Sequence, residues 1–116
     1  MRILILEDDP LIALDIQLIV ESCGHEVVRL CTSLKDLRAS MDDAPDFAFL
    51  DIDLPDGKSY ELAARLEERG IAFAFVSGSR PGELPENLRH ALFIPKPYSQ
   101  TAIRNSLAAD RCRLAS

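Results

Sequence analysis

Five short apolar runs, four of them followed by a stretch with clear helical spacing, constrain this chain more than any other feature. Ile3 to Leu6, Phe47 to Leu50 and Ile71 to Val76 are continuous apolar runs, the pattern of strands buried on both faces. Glu26 to Cys31 and Leu92 to Ile94 read as two further strands. After the first run, Pro10 suits the first turn of a helix. Leu11, Leu14 and Leu18, with Ile12, Ile16 and Ile19, then continue at helical spacing until Gly24. Ser33 is placed to cap a second helix through about Met41, with Leu34, Leu37 and Met41 on one face. Leu54 to Gly57, LPDG, is a turn. Ser59 is placed to cap a third helix, with Leu62, Ala63 and Leu66 inward and Gly70 at its end. In SRPGELPENLRHA the two prolines leave room only for a short helix, roughly Pro85 to His90. Ser99 caps a last helix with Ala102, Ile103 and Leu107 inward, and 110–116 is a tail expected to fray.

Strands alternating with helices imply an α/β fold, a doubly wound parallel sheet covered on both faces with right-handed crossovers. At 116 residues, 47% of them hydrophobic, the chain reads as a single domain over 1–116 with an ample core. A formal net charge of −6 argues against a nucleic-acid backbone as partner. Cys23, Cys31 and Cys112 are odd in number and scattered, so neither a disulfide framework nor a zinc site is indicated, and a reduced, cytoplasmic setting fits. The opening MRILILEDD has too short an apolar run for a signal peptide, and nothing approaches the length of a membrane span.

In such sheets ligands bind beyond the carboxyl ends of the strands. Strand one ends in Glu7 and Asp8, strand three in Asp51, strand four in Ser77, and Lys96 follows strand five. Side-by-side carboxylates repel, and more strongly where water is scarce. Glu7, Asp8 and Asp51 are tolerable together if a hard divalent cation sits among them, and Mg²⁺ prefers such oxygen ligands. With Lys96 as a further cation and the Ser77 hydroxyl as a donor, the set suits phosphoryl transfer to Asp51. Simpler roles cover the neighbours. Asp9 reads as a helix N-terminal carboxylate, Asp56 with Gly57 as turn chemistry, Phe93 as a core residue, and His25 and His90 as surface histidines. Ser77 and Lys96 also have plain readings, as a strand-end hydroxyl and a loop lysine. Asp51, closing the run FAFL, is the hardest to explain without a function.

LILEDDP, FLDIDLPDG, FVSGS and IPKP, in that order and at about these intervals, resemble the four signatures of the response-regulator receiver domain, the CheY-like family. The resemblance covers nearly the whole chain. It implies a five-stranded sheet of order 2-1-3-4-5, with Asp51 as phosphoacceptor from a sensor histidine kinase. It further implies Mg²⁺ held by Glu7, Asp8, Asp51 and the backbone carbonyl of Asp53, and phosphoryl contacts from Ser77 and Lys96. It puts a cis peptide at Lys96–Pro97, and Phe93 at the position of the family's aromatic switch residue. Glu7 replaces a more usual aspartate, Ser59 stands where glycine is frequent, and Gly78 where alanine is usual. The short, proline-bearing segment after Ser77 is similar to a stand-alone alphaproteobacterial subgroup with an FATGY motif and a shortened fourth helix. Here the motif is FVSGS, without the tyrosine. In such a chain activation is expected to order that segment.

Three functions follow as expectations. The first is a single-domain response regulator of a phosphorelay. It catalyses nothing beyond its own phosphorylation and slow dephosphorylation, and acts by protein contact or as a phosphate sink. The second is a phosphohydrolase similar to the haloacid dehalogenases, since LDIDLPDG holds Asp-x-Asp after an apolar strand. That family usually carries its nucleophile on the first strand and further acidic ligands after the lysine, and IPKPYSQTA has none. The third is a binding module that is never phosphorylated. The sequence names neither the kinase nor the output protein, and it leaves a homodimer open.

Overall fold

A computed structural model describes residues 1–38 and 44–115; of Arg38 and of 109–115 it describes the backbone alone. The elements are β1 (Arg2–Leu6), α1 (Pro10–Ser22), β2 (Glu26–Cys31), α2 (Leu34–Arg38), β3 (Phe47–Leu50), a two-strand ribbon of β4 (Asp53–Leu54) and β5 (Gly57–Lys58), α3 (Tyr60–Glu68), β6 (Ala72–Ser77), β7 (Leu92–Pro95) and α4 (Gln100–Ala115). The main sheet has the order β2-β1-β3-β6-β7 with every pairing parallel. Counting sheet strands alone, this is the expected 2-1-3-4-5. Met41 and the far end of the expected second helix lie outside the described residues, as do the side chains of the tail 110–116.

Alternation along the central strands divides the core in two. Ile3, Ile5, Phe47, Phe49, Ala74 and Val76 pack on one face against Ala13, Ile16, Ile19 and Val20 of α1 and Ile103 and Leu107 of α4. Leu4, Leu6, Ala48, Leu50, Phe73 and Phe75 pack on the other against Leu37, Ala63 and Leu66 of α2 and α3. Because every central-strand side chain is covered, a one-residue slip would exchange the two faces, so the register is strongly specified. The register places Leu6 beside Leu50 and Leu50 beside Phe75, and this levels the strand ends that carry the polar residues.

Three local expectations change. Between Ser77 and β7 there is no single helix from Pro85 to His90 but two 3-10 turns, Pro81–Glu83 and Glu86–Leu88. Each follows or begins at a proline, which donates no hydrogen bond and disfavours helical backbone in the residue before it. Leu84 and Leu88 are nevertheless buried in the core, and Arg89 Nε donates to the carbonyl of Leu84 at 3.2 Å. Any ordering switch would start from a segment already packed. His25 is buried, not on the surface; Gly24, at φ 85°, turns the chain so that the Met1 ammonium donates to His25 Nδ1 at 2.8 Å. His90 is exposed and pairs with Glu67.

Asp56 does more than turn the chain. Its Oδ1 accepts from Leu34 N–H and its Oδ2 from Lys35 N–H, both at 3.0 Å, so it caps α2 from a loop that follows Asp51. Ser33 Oγ adds a bond from Asp36 N–H at 3.2 Å. Asp56→Ala therefore lowers stability by about 1 kcal/mol, the usual worth of a cap. Urea unfolding monitored by circular dichroism measures this, and an unchanged midpoint would refute the capping role.

Candidate functional site

The site is assembled by backbone hydrogen bonds that continue the sheet beyond its strands. Glu7 N–H donates to the Cys31 carbonyl at 2.9 Å, Asp51 N–H to the Leu6 carbonyl at 2.8 Å, and Lys96 N–H to the Ser77 carbonyl at 2.9 Å. Each polar residue is thus fixed one step past a core strand. Glu7, Asp51 and Ser77 are buried, Asp8 is exposed, and Lys96 is half-buried. Its ammonium donates to Glu7 Oε1 at 2.5 Å and to Asp51 Oδ2 at 3.2 Å, which ties β1, β3 and the loop after β7 to one charge. Asp51 Oδ1 accepts from the N–H of Ile52 at 2.8 Å.

Of the three successive carboxylates at the end of β1, one is turned aside. Asp9 caps α1, accepting from Leu11 N–H at 2.9 Å and Ile12 N–H at 3.4 Å. Glu7 and Asp8 stay with Asp51, and one carboxylate oxygen from each lies within 4.8 Å of the others. Burial, with Asp51 beside it, pushes the Glu7 carboxyl up to about 8 against the pull of Lys96. Burial alone would lower the Lys96 ammonium, but Glu7 and Asp51 outweigh it and hold the lysine above its usual range. The donor set is oxygen only, and three carboxylates face one ammonium. Such a set fits a hard divalent cation of the Mg²⁺ kind.

Asp53 points its side chain elsewhere. Its carboxylate pairs with Lys58 and accepts from Ser79 Oγ at 3.0 Å. Lys58, with a smaller contribution from Ser79, holds the carboxyl below the usual range against a slight desolvation. The Ser79–Asp53 bond joins the loop after Asp51 to the loop after β6, and within the latter Ser77 Oγ accepts from Ser79 N–H at 3.1 Å. Phe93 is half-buried beside Phe75 in the register and packs on the α3 side of the core. The Lys96–Pro97 peptide is cis. Tyr98 donates to Asp15 Oδ2 of α1 at 2.6 Å and closes that loop. Burial, then Asp15, raises its phenol above the usual range.

Sequence reasoning missed Ser59, Ser79 and the Tyr98–Asp15 pair. Ser59 Oγ donates to the Asp51 carbonyl at 2.6 Å and makes no capping bond to α3. A hydroxyl at a helix start signals a cap by default, and nothing local distinguishes this alternative. Ser79 and Asp53 each sit two positions beyond a site residue, a spacing that could have suggested their meeting.

Residues 3–108 match the family described as response regulator receiver domain. The chain is 41% identical over 105 residues to the phyllosphere-induced regulator PhyR of Methylorubrum extorquens, covering 84% of this chain and 38% of that protein. The chain therefore spans well under half the length of that curated relative. Its structure is similar to SdrG from Sphingomonas melonis, with a TM-score of 0.80, 29% identity and 95% of each chain covered. PhyR from Brucella abortus gives a TM-score of 0.76 at 30% identity, over 94% of this chain and 46% of that one. The match is to a receiver, and the chain's acidic cluster, hydroxyl and lysine stand at the strand ends in the order of the four motifs. The chain belongs to the response regulator receiver domain family.

Proposed function

We propose that this domain is a phosphorylation switch in which Asp51 accepts a phosphoryl group from a histidine kinase. The observation that carries the reading is the Lys96 ammonium shared between Glu7 Oε1 and Asp51 Oδ2, beside a carboxylate cluster with room for a cation. A carboxylate oxygen of Asp51 attacks phosphorus, the donor's phosphorus–nitrogen bond breaks, and the imidazole leaves. Lys96 then pairs with a phosphoryl oxygen, and the Ser77 hydroxyl turns to donate to another. Glu7, Asp8, Asp51 and the Asp53 carbonyl would hold Mg²⁺, which when bound supplies positive charge against the phosphoryl oxygens. The chemistry is confined to the domain's own aspartate, in a cytoplasmic setting. No helix among the described residues is long and apolar enough to cross a membrane.

The kinase would dock on α1. Leu11, Leu14 and Leu18 are 77%, 50% and 59% exposed and form one stripe at i, i+3 and i+7, leading away from the site. Exposed Asp9, Asp15 and Glu21 flank it. Leu30, 39% exposed, pairs with Ile5 on the sheet face that α1 covers. An apolar, basic-rimmed helix fits that surface. Output would be a further protein contact. PhyR from Bartonella quintana, 26% identical over 94% of this chain and 47% of that one, is named an anti-anti-sigma factor, and an anti-sigma factor is the class of partner we place downstream.

Incubation with acetyl phosphate and Mg²⁺ will give a single phosphoryl adduct by intact mass, absent without Mg²⁺ and absent in Asp51→Asn. An adduct persisting in that variant would remove Asp51 as acceptor. In a separate test, Leu14→Lys will label normally from acetyl phosphate. From any kinase that labels the wild type it will label about tenfold more slowly, since a charge then sits in an apolar contact. Equal slowing by both donors would place the defect in the site and not in docking.

A further inference from the structure

Ser59 stands at the start of α3, where a serine ordinarily bonds the first free N–H groups of the helix. Its hydroxyl makes no such bond. The side chain is fully buried, and Oγ donates to the Asp51 carbonyl at 2.6 Å. The Ser59 N–H donates to the next carbonyl, that of Ile52, at 3.0 Å. The Asp51 carbonyl and the Ile52 N–H are opposite ends of one planar peptide. That N–H donates to Asp51 Oδ1 at 2.8 Å. Fixing one end of the plane therefore fixes the other.

We propose that Ser59 is a positioning residue for the phosphoacceptor: by holding the Asp51–Ile52 peptide it sets the direction in which the Asp51 carboxylate presents its oxygens. The inference rests on reading Asp51 as the acceptor. Oδ1 is held from the main chain and Oδ2 from Lys96, so the carboxylate is fixed from two directions. Loss of the hydroxyl frees the peptide to tilt and carries Oδ1 with it. In-line attack is sensitive to such displacement. The other contacts of the loop, Lys58 and Ser79 to Asp53 and Asp56 to α2, lie further along the chain and do not touch this peptide.

The test compares wild type, Ser59→Ala, Ser59→Thr and Asp51→Asn with acetyl phosphate and Mg²⁺, alongside amide spectra of each. Ser59→Ala is expected to be phosphorylated on Asp51 about five- to tenfold more slowly, the worth of one buried hydrogen bond. Its Ile52 amide resonance moves upfield as the bond to Oδ1 loosens, and Ser59→Thr restores both readouts. A wild-type rate in Ser59→Ala overturns the proposal. So does a slower rate with the Ile52 amide unmoved, which would mark a merely structural serine. If Ser59→Ala does not fold, Ser59→Gly removes the same hydroxyl at a position that tolerates glycine. Failure of the acceptor reading is distinct: the wild type takes no adduct, or Asp51→Asn keeps one, and the proposal then falls with it.

Discussion

One ammonium group organises the carboxyl edge of this sheet. Lys96 arrives from the loop after β7 and meets Glu7 of the β1 end and Asp51 of the β3 end. Buried carboxylates without a partner are among the more destabilising things a small domain can hold, so removing the lysine would leave two in difficulty. Yet one positive charge does not balance three carboxylates. Burial first, and the neighbouring Asp51 second, raise the Glu7 carboxyl despite the lysine. The excess of carboxylates over cations is what makes an oxygen-only cluster of this kind fit a divalent cation.

The loop that follows Asp51 links this charged edge to the rest of the fold. Residues 51–59 close on themselves through the β4–β5 ribbon, the Ser59 bonds and the Asp53–Lys58 pair. Beyond the bonds of Asp51 itself, they reach outward to α2 through Asp56 and to the β6 loop through Ser79. A closed loop moves as a unit more readily than it deforms. A displacement at Asp51 would consequently be felt at the α2 N-terminus as well as beside Ser77. The exposed bonds in this set are individually weak, so they bias the loop's position without locking it.

The fold was largely legible because its signals are redundant. The central strands β1, β3 and β6 each hold an apolar run with no polar interruption, and proline, glycine or serine punctuates most helices. The site was legible for a related reason: parallel topology sends all strand ends to one edge, so Glu7, Asp8, Asp51, Ser77 and Lys96 could be grouped without knowing any side-chain direction. What stayed hidden were choices between equivalent partners. Ser59 and Asp56 both have a routine local use, one as a cap and the other in a turn, and tertiary packing gave each hydrogen bonds elsewhere. His25 failed for a different reason. No periodicity marks a residue buried by a single glycine-induced turn of the backbone.

The segment between β6 and β7 shows how sequence and packing divide the decision. Pro81 and Pro85 forbid a regular helix there, yet the chain must still cover Phe73 and Phe75 on that side of the sheet. Two 3-10 turns with Leu84 and Leu88 turned inward are the compromise. They offer few backbone hydrogen bonds for the surface they cover, since those spanning the two turns include Leu84 N–H to Pro81, Leu88 N–H to Pro85 and Arg89 N–H to Glu86. A region held mainly by two leucines opens more easily than one held by a helical ladder. It begins immediately after Ser77, which ends β6, and Ser79, which bonds Asp53. The strand end that carries Ser77 therefore leads directly into a stretch held by side-chain packing more than by a backbone ladder.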